Sequence, residues 1–303
     1  MSTTYLDISR HTTNVINDPE ISREIWANAI EASFFMKHAR RMTIPGAGVK
    51  IQTITGEPTA NWVEETNAKP VSTHTLGAKT IIPYKLAVIE PFSMEFVRDK
   101  RALYDELVRR LPGALATKFD ATILSTTAPG SGFDVLGSCT KVSLIPGQGG
   151  SVYGQLLAAE NTIAAANGTM DVIGLAPAGK SKVQAAVDGQ GYPLFMSGVG
   201  SNSIVNILGA QVDINKRLFV AGTAGNPGTP AIVGVAGDFS DAMYGMVEAI
   251  SIDISREATL VNGNTTINLW QQNMLAVKAE VSISFAVKST SEFILFTGDT
   301  PSA

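Results

Sequence analysis

Hydrophobic and polar positions along the chain follow three regimes, helical, mixed, then β. Asp18-Pro19-Glu20 opens a helix, with Asp as cap, Pro in the first turn and Glu favoured by the helix dipole. Ile21, Ile25, Trp26, Ala29, Ile30 and Phe34 then recur at helical spacing. Lys37, His38, Arg40 and Arg41 crowd its far end, and Pro45-Gly46-Ala47-Gly48 stops it. Residues before Asp18 read as a loose arm. A second helix is expected over Ser93–Ser125, where Leu103, Leu107, Leu111, Leu115, Phe119 and Ile123 fall at four-residue steps. Unbroken, it would be about 50 Å long. Pro112 cannot donate to the carbonyl of Val108, so a kink or break is expected there.

Between these helices, Ile51, Thr53 and Thr55 alternate with Gln52 and Ile54, and Ile82, Tyr84, Leu86 and Val88 alternate later. A polar, turn-rich stretch from Gly56 to Lys79 separates them. A compact domain rarely keeps so long a connection without a function for it. An extended hairpin reaching away from the body accounts for the pattern.

From Tyr153 the order becomes helix (Leu156–Ala166), short buried strand (Met170–Leu175) and helix (Lys180–Val187). The last part is β. Ile250, Ile252 and Ile254 alternate with Ser251, Asp253 and Ser255. Leu275, Val277, Ala279, Val281, Ile283, Phe285 and Val287 alternate with residues including Lys278, Glu280, Ser282 and Ser284, the mark of a half-buried antiparallel strand.

The 303 residues are 45% hydrophobic and 17% charged, with a net charge of −4 and a pI near 5.5. That balance excludes a sequence-independent nucleic-acid binder, which needs a basic surface to neutralise phosphates. Between Ala121 and Ala210 the only charged residues are Asp134, Lys141, Glu160, Asp171, Lys180, Lys182 and Asp188. A surface so poor in charge is expected to meet other subunits. The lone Cys139 excludes an internal disulfide and reads as a small buried hydrophobe. The first ten residues lack a signal-peptide pattern. The uncharged stretch Leu218–Gly237 carries too many Gly and Pro residues for a membrane helix. A soluble protein made in a reducing compartment is therefore expected.

Candidate chemistry is sparse. Gly174-Leu-Ala-Pro-Ala-Gly179-Lys180-Ser181 matches the phosphate-loop pattern Gly-x-x-x-x-Gly-Lys-Ser/Thr, between an apolar strand and a helix. In that reading backbone amides and Lys180 hold phosphates and Ser181 ligates magnesium. Against it, more than half the chain precedes the motif, and Asp238 is poorly placed for magnesium in a Gly-rich loop. A coincidental strand-to-helix turn is the plainer reading. His11, His38 and His74 lie far apart without ligand spacing. Neither a Gly-x-Ser-x-Gly elbow nor a Cys–His nucleophile context is visible, so no catalytic residue, cofactor or metal is expected.

Several stretches together carry a resemblance: Asn61-Trp62-Val63-Glu64-Glu65, Lys69-Pro70, Leu76-Gly77-Ala78-Lys79 and Tyr84 through Ser93. Asp120–Leu124, Gly130-Ser-Gly132, Asp188–Phe195, Leu208–Val212, Gly237–Ser240 and Gln272–Glu280 continue it in order. The chain resembles the tailed-bacteriophage major capsid family, the Hong Kong 97-like fold. The resemblance implies an α+β fold with an N-terminal arm and helix (1–49) and an extended hairpin loop (50–89). A peripheral domain with a spine helix (90–144) and an axial domain (145–237) follow, and C-terminal strands (238–303) return to the peripheral antiparallel sheet.

The implied function is a shell subunit, not an enzyme. It would assemble with itself into pentamers and hexamers of an icosahedral virion capsid around double-stranded DNA held without sequence-specific binding. Portal and scaffolding or decoration proteins are the further partners, no membrane is involved, and synthesis would be in the host bacterial cytoplasm. Trp62 and Val63 are the expected buried inter-subunit contact of the hairpin, with Glu64, Glu65 and Lys69 as rim charges. A bacterial cargo-holding nanocompartment (an encapsulin) is the rival within the same fold, and the phosphate-loop reading is the rival outside it. No long charged extension precedes the arm, so scaffolding is expected to be separate or unnecessary. Some relatives weld subunits by Lys–Asn isopeptide bonds, which would draw on Lys69 or Lys79 and Asn262, Asn264 or Asn268.

Overall fold

A computed structural model of the chain describes residues 33–56, 58–65, 67–145, 151–187, 190, 192–195, 206–224, 228–262 and 265–299. The arm and most of the helix expected from Asp18 lie outside them, as do residues 188, 189 and 191 of the stretch Asp188–Phe195. Helix α1 (Phe34–His38) passes into strand β1 (Arg40–Thr43). Strands β2 (Val49–Gly56) and β3 (Thr75–Ile81) pair with each other. Strand β4 (Tyr84–Ser93) leads into helices α2 (Met94–Asp99) and α3 (Arg101–Ile123). Strand β5 (Thr140–Ser143), helix α4 (Val152–Ala165), strand β6 (Val172–Leu175) and helix α5 (Pro177–Gln184) follow. Then come β7 (Asn206–Ile207), β8 (Ala210–Ile214), β9 (Ile232–Gly237), β10 (Ala242–Met246) and β11 (Ser251–Ser255). A ribbon of β12 (Thr259–Asn262) and β13 (Thr265–Asn268) precedes β14 (Met274–Val287) and β15 (Phe293–Thr297).

Two sheets organise the body. In the first, β14 is the axle. Strand β4 pairs along it from Met274 to Ile283, while β11 and β10 share its other side in tandem, with β1 parallel to β10. Helix α3 covers this sheet, and its Leu111, Leu115, Phe119 and Ile123 enter one core with Val277, Val281 and Ile283. The second sheet runs β5-β15-β9-β6-β8-β7. Its core takes Leu156, Ala159 and Ile163 from α4 and Val183 from α5.

Five local expectations are corrected. Ser33 is extended (φ −90°, ψ 129°) and caps a new helix, so the helical pattern running into Phe34 is interrupted there, and α1 ends at His38 rather than Arg41. Helix α3 continues through the buried Pro112, and the break falls at Lys100 (φ −131°, ψ 45°). The return strand of the hairpin ends at Ile81, short of Ile89, because Tyr84–Ser93 belongs to the body sheet. Unbroken alternation across Ile82-Pro83 hides a change of partner. Finally, β15 does not join the other C-terminal strands. It lies between β5 and β9 in the second sheet. The half-buried alternation of β14 holds to about Ile283; beyond it Ser284 to Val287 are all buried, because Ala286 meets Ile44 and Ile81 on the second face.

Short α1 is the keystone between the sheets. Phe34 and Phe35 are fully buried. Phe35 packs edge-on to Phe285 of β14, and Phe34 on Phe239, which in turn meets Phe293 of β15. Such aromatic pairs add specific edge-to-face attraction to the burial itself. Asp120 on α3 receives hydrogen bonds from Ser33 Oγ (2.6 Å) and the Phe34 amide (3.0 Å) at one end of α1. At the other end Lys37 Nζ and His38 Nε2 reach Asp213 of β8, at 2.7 and 2.8 Å.

Candidate subunit interface

The hairpin is built to project. Its register runs from Val49↔Ile81 to Gly56↔Thr75, with an irregularity between Ile54 and Gly56. At its root Gly48 takes φ +82°, and a Cβ there would lie 2.5 Å from the Ile81 carbonyl, so only glycine admits the entry turn. Ile81 is buried against Ile44 and Ala286. Lys79 is ion-paired with Asp134 and donates to the Val287 carbonyl, while Asp134 also receives the Val287 amide (2.8 Å). The root is therefore fixed to the end of β14 by packing and by charge.

Beyond the paired strands the tip is held by few contacts, such as Thr59 N donating to Ser72 Oγ (2.9 Å) and a turn from Asn67 N to the Glu64 carbonyl (3.2 Å). Trp62 is fully exposed, and Val71 (93%) and Leu76 (67%) nearly so. The loop brings together all five residues singled out in the sequence. Trp62, Val63, Glu64, Glu65 and Lys69 are exposed, and among the described residues none of the three charges has an ion-pair partner. An indole wholly in water is costly unless something covers it.

A second projection was not singled out from the sequence. The ribbon of β12 and β13 exposes Val261 (73%), and Trp270 (76%) stands in the turn after it. An aromatic among Asn268, Gln271, Gln272 and Asn273 was the available signal. The candidate crosslinking groups are dispersed: Lys69 is on the exposed tip, Lys79 is held by Asp134, and Asn268 Oδ1 accepts from the Gln271 amide (3.1 Å). Asn264 lies outside the described residues.

The phosphate-loop match has no cradle. Strand β6 passes into α5 through Ala176 alone, so Pro177 to Ser181 are already helix and no loop curls around a phosphate. Both glycines serve packing: a Cβ on Gly174 would lie 2.5 Å from Phe34 Cζ, and one on Gly179 2.4 Å from the Val233 carbonyl. Ser181 Oγ donates back to the Ala178 carbonyl (2.8 Å). Among the described residues no helix is long and apolar enough to cross a membrane.

A two-sheet body joined by a buried keystone, with a rooted hairpin whose Trp62 is left uncovered among the described residues, has the form of a structural subunit made to meet other chains. The chain belongs to the phage capsid family, whose model matches residues 14–298. It is a major capsid protein of the tailed-phage type, and its place is the virion capsid. Two proteins named probable major capsid protein gp17 are similar to it. That of Mycobacterium phage L5 is 29% identical over 92% of this chain and 88% of its own length. That of Mycobacterium phage D29 is 26% identical over 92% and 89%. A solved structure from Gordonia phage Cozz shares the fold with a TM-score of 0.72, at 20% identity over 89% of this chain and 87% of that one.

Proposed function

We propose that the chain assembles into pentamers and hexamers of a closed icosahedral head around double-stranded DNA, with the hairpin as the clasp between neighbours. The half around the five-stranded sheet and α3 is the peripheral domain, and the half around the six-stranded sheet is the axial domain. The observation that carries this reading is the hairpin itself, pinned at Lys79 and Ile81 yet ending in the uncovered Trp62. Closure lets many modest contacts cooperate, so each clasp can be weak by itself. A net charge of −4 suits a container that neither grips nor reads its DNA. Portal and scaffolding or decoration proteins are the partners such a shell needs, and synthesis is in the host bacterial cytoplasm.

The test is light scattering with size-exclusion chromatography and electron microscopy of the expressed protein. Closed shells, rings or tubes are the expected result. A species that stays monomeric at every concentration, with or without a co-expressed scaffolding protein, would overturn the reading.

A further inference from the structure

Among the described residues the chain passes between the two sheets three times, at 124–139, 238–241 and 288–292. The three crossings meet at one point. The Asp238 amide donates to the Glu292 carbonyl (3.2 Å), the Lys288 amide to the Asp241 carbonyl (3.1 Å) and Cys139 Sγ to the Thr290 carbonyl (3.2 Å). Lys288 Nζ also reaches Asp241 Oδ2 at 2.8 Å. This polar knot lies where the cores touch, since Phe293 enters the first core and Ile294 the second.

Glu292 is the anomaly in the knot. The residue is 3% exposed, and its Oε2 is buried with no hydrogen-bond partner among the described residues. Its Oε1 stands 3.9 Å from Lys288 Nζ, beyond hydrogen-bond reach. The neighbouring carboxylates are all held. Asp238 takes the Thr169 and Ser240 amides (2.9 and 3.1 Å), Asp171 takes the Phe239 amide (2.9 Å), and Asp241 has Lys288. The Glu292 side chain lies against the turn after α4, where a Cβ on Gly168 would stand 3.0 Å from its Cγ. Residues 161–170 bring no titratable group to that side. The charges facing Glu292 are Lys288 from the end of β14 and Asp241 and Asp238 from the neighbouring crossing, and Asp171 in turn faces Asp238. Two anions thus oppose one ammonium that is already paired with Asp241. Burial pushes the Glu292 carboxyl above the ordinary carboxylate range; Lys288 works against this, and Asp241 and Asp238 add to it. A buried carboxyl with an unpaired oxygen is far cheaper to hold neutral than ionised.

We infer that Glu292 is a proton-binding latch at the crossing between the two sheets. With its proton in place the three crossings pack together. Loss of that proton drives Thr290–Glu292 away from the Asp238–Asp241 turn and loosens one half of the subunit against the other. A carboxyl whose proton the fold favours adds stability below its unfolded value, about 4.3, and loses it as pH rises through the higher folded value. The latch belongs to the single subunit and operates whether or not shells form.

Amide hydrogen exchange of the full chain, corrected for the intrinsic pH dependence of exchange and followed over a pH series from about 4 to 8, tests it. In the parent, peptides covering 238–246 and 288–293 are expected to lose protection as pH rises, about tenfold for each unit by which the fold favours the proton. In Glu292→Gln, neutral and of the same shape, the same peptides should stay protected. Asp120 and Asp171 titrate in both chains, so the difference between parent and variant isolates Glu292. Lys288 and Asp241 are 58% and 34% exposed in their side chains, so changing them spares the packed core. Lys288→Gln removes the facing cation and should move the transition to higher pH, whereas Asp241→Asn removes a facing anion and should move it lower. Equal pH dependence in the parent and Glu292→Gln would overturn the latch, as would surface variants that leave the transition in place or move it the same way. Should Glu292→Gln fail to fold, the two surface variants decide by themselves.

Discussion

Ser33 Oγ donates a 2.6 Å hydrogen bond to Asp120 Oδ1, joining the first described residue of the chain to the last turn of its long helix, both fully buried. The other carboxylate oxygen takes the Phe34 amide at 3.0 Å, and Ser33 Oγ in turn accepts the Met36 amide at 3.2 Å. One carboxyl thus anchors the segment whose phenylalanines wedge between the two sheets.

Burial pushes Asp120 up to about 6, against the hydrogen bonds from Ser33, Phe34 and Phe35 and the charge of Arg217, which favour the anion. A carboxyl with a raised folded-state value takes up its proton earlier in the folded chain than in the unfolded one. Its contribution to stability is therefore full below about pH 4 and is lost as pH rises through 6, roughly 3 kcal/mol in all. Relative to Asp120→Asn, the parent is expected to gain about 1 kcal/mol between pH 7 and pH 5. Denaturant titrations of both at the two pH values check it; parallel curves would refute it. Asp120→Ala, which strands the Ser33 hydroxyl and the Phe34 amide, should cost about 2–4 kcal/mol at any of these pH values.

The other end of α1 titrates in the opposite sense. Burial works against the charge of Asp213, but hydrogen bonds from Lys37 and His38 outweigh it and hold the carboxyl below its ordinary range. That contribution is present above the unfolded value near 4 and is lost as pH falls through the lower folded value. Asp213→Asn is expected to destabilise the chain at pH 7, and its difference from the parent is expected to shrink as pH falls through the lowered folded value. Unfolding curves over an acidic pH series decide it.

Cys139 is buried, with Sγ 3.2 Å from the Thr290 carbonyl, and burial pushes its thiol up to about 11. The thiolate is the reactive form. A thiol reagent at pH 8 should leave the folded protein unmodified for hours and label it stoichiometrically in denaturant. Fast labelling of the folded chain would mean that the pocket around Cys139 opens readily.

At Gly179 the packing reading and the phosphate reading diverge. Gly179→Ala forces a Cβ toward the Val233 carbonyl and should cost about 1–3 kcal/mol, since overpacking a tight core shifts backbone. ATP with magnesium should leave the melting temperature of the parent unchanged. A nucleotide-dependent rise that disappears in Lys180→Ala would restore the phosphate-loop reading.

Trp62→Ala should change the unfolding free energy by less than about 0.5 kcal/mol, because an exposed side chain away from the core contributes little to folding. The same variant should fail to form shells. Electron microscopy and thermal melts of one preparation measure both, and full assembly by Trp62→Ala would remove the clasp from the account.

Hydrophobic periodicity alone determined where the long helix over Leu103–Ile123, the short strand before Gly174 and the long strand ending at Val287 would form, because each pattern is local and its period is set by backbone geometry. It also marked the polar stretch carrying Trp62 as something held outside a core. Alternation does not name a strand's partner, so only the tertiary structure could assign Tyr84–Ser93 to the body and send β15 into the second sheet. Pro112 looked like a breaker. Its missing hydrogen bond is one local cost, and the burial of Leu111, Leu115 and Phe119 in the first core outweighs it. The phosphate-loop match and the Ser33–Asp120 bond make the same point from opposite sides. A short motif has meaning only in its backbone path, and two residues 87 positions apart become partners only once the chain has folded.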